Sequence, residues 1–582
     1  MRRTKIVCTV GPASEDLEML KEFIQLGMDV ARINLSHGTP QGHEERIKRI
    51  QEASRQMNKR VGIMIDTRGP EVRIKTFREK EVELKDGERF VLTTENVEGD
   101  SQRVGITYKN LPKDLPLGAR ILVDDGLIEL KVEKVTSTEI ETLVVHGGML
   151  SDRKGINVPG VHINLPILSE EDERDIEAAL QQNVDFIAAS FIRSAEDVFA
   201  IRRLLEKNKT SAGIIAKIES REGVRNFQEI LEVADGVMIA RGDLGVEIPA
   251  EDVPLVQKNL IAACNRVGKP VITATQMLDS MMRRPRPTRA EANDVANAIF
   301  DGADAVMLSG ETAAGAFPVE AVENMARIAQ RTEKALKYRT IMQNLESAIQ
   351  NTVTDAISYA TCRAAQDLGA SAIISATQSG HTARMVSKYK PKAPIIAVTP
   401  SERVASALSL TWGVYPLLCP PTASTDEIFN TAIKVALESE LIQCGDLVIL
   451  TAGVPVGLPG TTNFMRIDTI GEVIVQGQGI GKTAVTGIVH VAQTPEEALK
   501  IEEGWILVCA FTDKEFLPAM EKAGAIITET GGLTSHAAIV GLNLGKPVVV
   551  GVSDATKELS SGQLVTVDTV RGLIYRGRAT VY

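Results

Sequence analysis

The chain has 582 residues, beyond the size of a single hydrophobic core, so three or four domains are expected. A hydrophobic fraction of 44% with only 4% aromatics fits an α/β enzyme rich in Val, Ile and Ala, and excludes a disordered or fibrous chain. A net charge of −11, with no basic stretch long enough to track phosphates, argues against nucleic acid and anionic membranes as partners. The N-terminus, Met1-Arg-Arg-Thr-Lys5, begins basic, but the apolar run after it is short and ends at Gly11-Pro12, unlike a signal peptide. No later run has the length of a membrane helix. The six cysteines are dispersed with no Cys-x-x-Cys pair, the pattern of reduced, mostly buried thiols. A cytoplasmic protein is expected.

Short β-branched runs alternate with helical segments through the first 310 residues. Strands are predicted at 5–10, 29–35, 62–67, 185–191, 213–219, 236–241, 270–275 and 305–309, with helices such as 16–26, 42–58 and 195–206 between them. Eight βα units predict an α/β fold with a closed (β/α)8 TIM barrel over 1–70 and 167–340, whose functional residues sit at the C-terminal strand ends. Polar residues collect at those ends: Arg32, Asn34 and Ser36; Asp66 and Thr67; Lys217 and Glu219; Asp243; Thr275 and Gln276; Ser309 and Glu311.

About a hundred residues separate the third and fourth runs, far more than a βα loop takes. Short alternating strands at 81–84, 120–123 and 127–132, with turns at Asp86-Gly87 and Asp125-Gly126, predict an inserted β-barrel domain over 71–166. Placed over the barrel mouth, it can act as a lid that excludes water. After a helix at 318–336, residues 341–472 form a second α/β domain with strands at 372–375, 394–398 and 447–450. Gln476-Gly-Gln-Gly-Ile-Gly-Lys482 reads as a glycine-rich linker or bulge-rich turn. The tail, 473–582, is the size of a small domain, with strands at 505–510, 525–528 and 547–550.

The sharpest chemical signal lies in two neighbouring runs. Residues i and i+2 of a strand share a face, so Lys217 and Glu219 emerge together, beside Asp243 at the close of the next run. Two carboxylates and one ammonium suit a divalent cation and a phosphoryl or enolate oxygen; the same three residues also make a structural ion-pair cluster. Arg32, Asn34 and Ser36 share a face as well, which suits an anionic substrate and an alkali cation, or a solvated strand edge. Gly242-Asp-Leu-Gly245 is no dinucleotide fingerprint and no GxxxxGK[ST] loop occurs, so a nucleotide is held by other means.

Six motifs, in order, resemble the pyruvate kinase family over roughly residues 1–471: Ala31-Arg-Ile-Asn-Leu-Ser-His-Gly38, Asp66-Thr-Arg-Gly-Pro-Glu-Val-Arg73, Ala216-Lys-Ile-Glu219, Ala240-Arg-Gly-Asp-Leu-Gly-Val-Glu247, Ala274-Thr-Gln-Met-Leu-Asp-Ser-Met281 and Met307-Leu-Ser-Gly-Glu-Thr312. The resemblance implies transfer of the phosphoryl group of phosphoenolpyruvate to ADP, giving pyruvate and ATP, the last step of glycolysis. It implies that Arg32 contacts the substrate phosphate, that Glu219 and Asp243 hold Mg²⁺ (or Mn²⁺), and that Lys217 stabilises the phosphoryl group in flight. It gives Gly242, Asp243 and Thr275 to the substrate, and Thr275 and Ser309 to protonation of the enolate. Arg73, Lys154, Asn34 and His37 fall on the nucleotide side, and Asn34, Ser36, Asp66 and Thr67 on a K⁺. Glu71 matches the acidic form of the motif in K⁺-dependent members. A homotetramer is implied too.

The 341–472 segment resembles the family's regulatory domain. Its Thr377-Gln-Ser-Gly-His-Thr382 turn, with Thr377, Ser379, Gly380 and Thr382, can bind an anion or be a plain turn. Thr451-Ala-Gly-Val-Pro-Val-Gly457 has no Trp or Arg to grip a second phosphate, which favours a monophosphate effector such as AMP or a sugar monophosphate. In the tail, Thr530-Gly-Gly-Leu-Thr-Ser-His-Ala-Ala-Ile-Val540 resembles the phosphohistidine motif of the swivelling domain of phosphoenolpyruvate-utilising enzymes. His536 is then a candidate phosphoryl acceptor. Those enzymes carry an arginine where this chain has Gly541-Leu-Asn, and a structural or assembly role is the other reading. Two further classes remain, a catalytically idle metabolite sensor or phosphocarrier and a metal-dependent aldolase.

Overall fold

The computed structural model describes residues 1–346, 349–421, 425–454 and 461–579. Two compact units emerge: one holds 1–349, 383–390 and 401–416, the other 350–382, 391–400 and 417–582.

Eight strands of the first unit close into a barrel: β1 (Lys5–Thr9), β2 (Val30–Asn34), β3 (Gly62–Asp66), β4 (Phe186–Ala189), β5 (Gly213–Ile218), β6 (Gly236–Ala240), β7 (Val271–Ala274) and β8 (Ala305–Leu308). Each pairs in parallel with its neighbour in sequence, and β8 closes on β1 with Lys5 opposite Ala305. The intervening helices start where the sequence supplies a cap. Asp16 caps Leu17–Leu26, Thr39 caps Pro40–Gln56, and Ser194 with Asp197 makes a capping box for Ala195–Lys207.

Two details differ from expectation. The sixth strand stops at Ala240, because residues from 241 on turn into the helix Arg241–Glu247; Asp243 therefore sits in a helix's first turn and not at a strand end. The glycine-rich stretch at 476–482 is no free linker. It contains the strand Gln478–Ile480, paired antiparallel with Val548–Val550. A Cβ on Gly479 would stand 1.9 Å from the Thr569 carbonyl oxygen, so only glycine fits that approach.

The inside of the barrel is filled by alternate residues of the strands. Val7, Val30, Met64, Phe186, Ala188, Ile215, Met238, Ile272, Ala274, Ala305 and Met307 form one buried cluster. Leu410, from a short 3-10 turn far along the sequence, completes that cluster. A polar residue stands two positions beyond several of these: Thr9 after Val7, Arg32 after Val30, Asp66 after Met64, Lys217 after Ile215 and Ser309 after Met307. The period of two thus turns the apolar filling into a polar mouth at the strand ends.

Between β3 and β4 the chain builds the inserted domain, a seven-stranded sheet with Val72–Arg73 at one edge, paired to Gly155–Asn157, and Arg103–Gly105 at the other, and with its own core around Phe90, Leu92, Ile121, Leu130 and Ile140. In the second unit, Ile395–Thr399, Ala372–Ala376, Leu447–Ala452 and Phe464–Thr469 neighbour one another in that order, and the tail carries an eight-stranded sheet. Among the described residues no helix is long and apolar enough to cross a membrane, and all six cysteines are free thiols.

Because Leu410 fills the barrel interior with no exposure, Leu410→Ala should destabilise the first unit by about 2–5 kcal/mol. Thermal unfolding of the variant checks this; an unchanged midpoint would show that the barrel is filled without it.

Candidate active site

At the barrel mouth, Asp66 at the end of β3 is 1% exposed. Arg32 Nε donates to its Oδ2 at 2.7 Å, and Lys217 Nζ donates to its Oδ1 at 3.0 Å. Burial alone would raise the Asp66 pKa, but these two cations hold it below the ordinary carboxylate value. Lys217 also donates to Ser190 Oγ at 2.7 Å and stands 3.0 Å from Glu219 Oε1 as an ion pair. Desolvation pulls its ammonium down, yet Asp66 and Glu219 outweigh that and keep it charged, with its pKa above the usual lysine value. Arg32 is anchored a second time by Thr9 Oγ1, 2.9 Å from Nη1.

Glu219 follows β5 by one residue and is 1% exposed. Burial pushes its carboxyl up to about 7 against the pull of Lys217. Asp243 is raised as well, first by burial, with Asp125 and Glu71 adding to it and Lys217 opposing. Burial penalises ionisation of both carboxylates, and a bound divalent cation would offset that penalty on each. Among the described residues no three His, Cys, Asp or Glu side chains converge as a metal set. Glu219 and Asp243 therefore fit an ion that keeps most of its coordination for water and substrate oxygens, as Mg²⁺ does.

Thr275 and Gln276 follow β7 in the left-handed region, with φ of +66° and +53°. For a β-branched residue this is strained, and Arg241 holds it in place. Its Nε donates to the Ala274 carbonyl at 3.2 Å and its Nη2 to the Thr275 carbonyl at 2.8 Å, while Nη1 is anchored on Asp294 Oδ1 at 2.7 Å. The Gly242 N–H donates to Thr275 Oγ1 at 2.7 Å, so these two expected substrate contacts are neighbours. The Ser309 N–H donates to Glu311 Oε2, while Ser309 Oγ is buried without a protein partner, a hydroxyl that suits a bound water or substrate.

Asn34 on β2 lies in register with Asp66 on β3, and its Oδ1 accepts from the Ser36 N–H at 3.0 Å. Thr67 Oγ1 accepts from the Ser190 N–H at 3.1 Å. Of the four residues expected around an alkali cation, Asp66 and Thr67 are consecutive, Asn34 is in register with Asp66, and Ser36 is hydrogen-bonded to Asn34. Toward the inserted domain lies a cleft of about 640 Å³, lined by His37, Glu71, Arg73, Asp124, Lys154 and Asp243 among others. In it Arg73 pairs with Glu71 and donates to the Arg153 carbonyl at 2.9 Å, and Lys154 pairs with Asp124 at 2.9 Å.

Ser190, Thr9, Arg241 and the Phe191 N–H, which donates to Glu219 Oε2 at 2.6 Å, belong to this mouth and escaped the sequence reading. Ser190 was within reach of it: the run at 185–191 ends in Ala189-Ser190-Phe191, two residues past the interior Ala188.

In the second unit, Thr377 Oγ1 accepts from the Gly380 N–H at 3.0 Å, the His381 N–H donates to Ser379 Oγ at 3.4 Å, and the Thr382 and Thr462 hydroxyls are 2.8 Å apart. Residues 455–457 of the second expected effector loop lie outside the described residues. His536 opens the helix His536–Asn543, with Thr512 Oγ1 3.0 Å from its Nδ1.

Cations, carboxylates and an adjoining cleft at the mouth of a barrel suit a phosphorylated substrate. Residues 1–322 match the family model for the pyruvate kinase barrel domain, and 355–468 that for the pyruvate kinase alpha/beta domain. Residues 501–572 match the mobile domain of PEP-utilising enzymes. The chain is 54% identical to a pyruvate kinase of Geobacillus stearothermophilus and 51% identical to one of Bacillus licheniformis, with 100% of each chain covered. A crystal structure of a pyruvate kinase from Cryptosporidium parvum superposes with a TM-score of 0.76 at 40% identity, over 80% of this chain and 96% of that one. The chain belongs to the pyruvate kinase family.

Since Asp66 is held ionised by Arg32 and Lys217, its contribution to stability is complete above the ordinary carboxylate range and is lost as pH falls through its lowered pKa. Asp66→Asn should cost about 3–5 kcal/mol at neutral pH and flatten the decline in stability below about pH 4. Denaturant unfolding across pH tests this, and an acid limb identical to wild type would refute it.

Proposed function

We propose that this enzyme transfers the phosphoryl group of phosphoenolpyruvate to ADP, giving pyruvate and ATP, at the mouth formed by Arg32, Lys217, Glu219, Asp243, Thr275 and Ser309. The observation that carries the reading is the Lys217 ammonium, hydrogen-bonded to Asp66 and Ser190 and paired with Glu219. An ammonium has three protons: two are committed to those hydrogen bonds, and the third is shared between the Glu219 ion pair and an oxygen of the phosphoryl group in flight. Arg32, fixed at Nε and Nη1, presents its remaining nitrogen to the substrate phosphate. The Gly242 and Thr275 pair faces the carboxylate or enolate oxygen, and the unpartnered Ser309 hydroxyl suits ordering the water that protonates the enolate carbon. Arg73, Lys154 and His37 line the cleft and, with Asn34, would take ADP, so that the lid covers the transfer.

Glu219 and Asp243 would hold Mg²⁺ or Mn²⁺, which supplies positive charge to substrate and phosphoryl oxygens. Asn34, Ser36, Asp66 and Thr67 would offer hard oxygens to K⁺, beside the Glu71 that goes with K⁺ dependence. A homotetramer is the expected assembly. The Thr377–Thr382 turn would take a phosphorylated activator, AMP or a sugar monophosphate, through Thr377, Ser379, Gly380 and Thr382. The tail would serve a structural or assembly role, and His536, with Nδ1 engaged by Thr512, is the phosphoryl acceptor of the alternative reading.

Pyruvate formation from phosphoenolpyruvate with Mg²⁺ and K⁺ should require ADP, and Lys217→Met should lower kcat at least about 100-fold while the fold is kept. Turnover without ADP would redirect the reading to an aldolase-like or phosphatase chemistry, and full activity in K⁺-free buffer would remove the K⁺ assignment. AMP or a sugar monophosphate should shift half-saturation by phosphoenolpyruvate downward. A saturation curve that ignores both would sink the effector assignment. Labelling of His536 by phosphoenolpyruvate in Lys217→Met would promote the phosphohistidine reading.

A further inference from the structure

Ser190 lies just past β4 and is 3% exposed. A hydroxyl has one proton to give and two lone pairs to receive with. The Ser190 proton goes to the Thr67 carbonyl at 2.7 Å; Asp66 Oδ1, at 3.4 Å, is the longer alternative. Its oxygen accepts from Lys217 Nζ at 2.7 Å, a shorter contact than the 3.0 Å from Lys217 to Asp66. The Ser190 N–H donates to Thr67 Oγ1 at 3.1 Å, so two hydrogen bonds join Ser190 to the first residue after β3.

Thr67 starts the strand of chain that leaves the barrel for the lid, through Gly69 and Pro70. Gly69, at a φ of +75°, is pressed against Ser190: a Cβ there would be 2.8 Å from Ser190 Cβ and 3.1 Å from its carbonyl oxygen. The next residue, Phe191, is itself left-handed at φ +55°, and its N–H holds Glu219 Oε2. Residues 190 and 191 therefore touch the lid hinge on one side, and the ammonium and one carboxylate of the site on the other.

We propose that Ser190 is a positioning residue that ties the Lys217 ammonium to the hinge of the lid, so that movement of 67–70 changes where the ammonium stands. The inference deepens the kinase reading and rests on Lys217 acting on the phosphoryl group. A shift of the Thr67 carbonyl either carries the Ser190 hydroxyl with it or leaves a buried carbonyl unpaired and the hydroxyl proton on the longer contact to Asp66. Closure of the lid and placement of the cation are then one motion.

The first test is Ser190→Ala in the full-length enzyme. It should lower kcat for ADP-dependent pyruvate formation about 10- to 100-fold, the range for losing one charge-assisted hydrogen bond, with KM for both substrates within about twofold. Exchange of the C3 protons of pyruvate with solvent, which involves no phosphoryl transfer, should stay near wild type; a structural defect would lower both. Gly69→Ala, which presses on Ser190 without touching Lys217, should lower kcat as well. The double variant should then be no slower than the slower single one, whereas losses that multiply would overturn the link. A crystal structure of Ser190→Ala decides independently of turnover. Lys217 Nζ should have left its present position and the Thr67 carbonyl should have turned; both unmoved would refute the proposal. If wild type made no pyruvate, the kinase reading would fail, while that structure would still decide whether Ser190 ties hinge to ammonium. Ser190→Cys replaces Ser190→Ala if the latter does not fold.

Discussion

The barrel mouth depends on one buried carboxylate. Asp66 has almost no access to water, and an unpaired charge there would cost several kcal/mol. Arg32 and Lys217 neutralise it from two sides with one hydrogen bond to each oxygen. The debt runs the other way too, since two cations this close would repel each other without Asp66 between them. Arg32 lies within β2, Asp66 ends β3 and Lys217 is one residue from the end of β5, so satisfying Asp66 fixes the relative placement of these three strands. The geometry of the mouth follows from this electrostatic closure: the carboxylate is buried with a guanidinium on one oxygen and an ammonium on the other.

Around that centre the backbone adopts conformations that local preference disfavours. Thr275 and Phe191 are both left-handed, and both sit directly after or near a barrel strand. Each is held by contacts that a relaxed turn would forfeit, Thr275 by the Arg241 clamp on two carbonyls and Phe191 by its N–H on Glu219. Strain of this kind persists only where the surroundings over-determine it. Here it lets Thr275 Oγ1 meet the Gly242 N–H and lets the chain after β4 reach both Gly69 and Glu219.

Much of this was legible in the chain. The eight runs were recognisable because strand periodicity and the caps Asp16, Thr39 and Ser194 agree with each other, and such agreement marks an unambiguous element. The pairing of Lys217 with Glu219 followed from a spacing of two. The helical placement of Asp243 did not, since Arg241-Gly-Asp-Leu-Gly offers no cap and two glycines, and only tertiary contacts make it a helix. The stretch 476–482 read as a linker or bulge-rich turn because its glycines look like flexibility; Gly479 is there because the Thr569 carbonyl comes too close for any side chain.

By itself, then, the sequence determined the barrel, the inserted β domain and the set of polar strand ends, since these rest on local periodicity and on which residue types can carry the chemistry. It could not show that Asp66 binds Arg32 and Lys217 at once, that Ser190 joins Lys217 to Thr67, or that Leu410 completes a cluster whose other members end at Met307. Those contacts join residues 27 to 151 positions apart for the polar network, and over a hundred for Leu410. No local pattern encodes such distances. They are set only when barrel closure brings the strand ends to one side and burial forces every charge and hydroxyl there to find a partner.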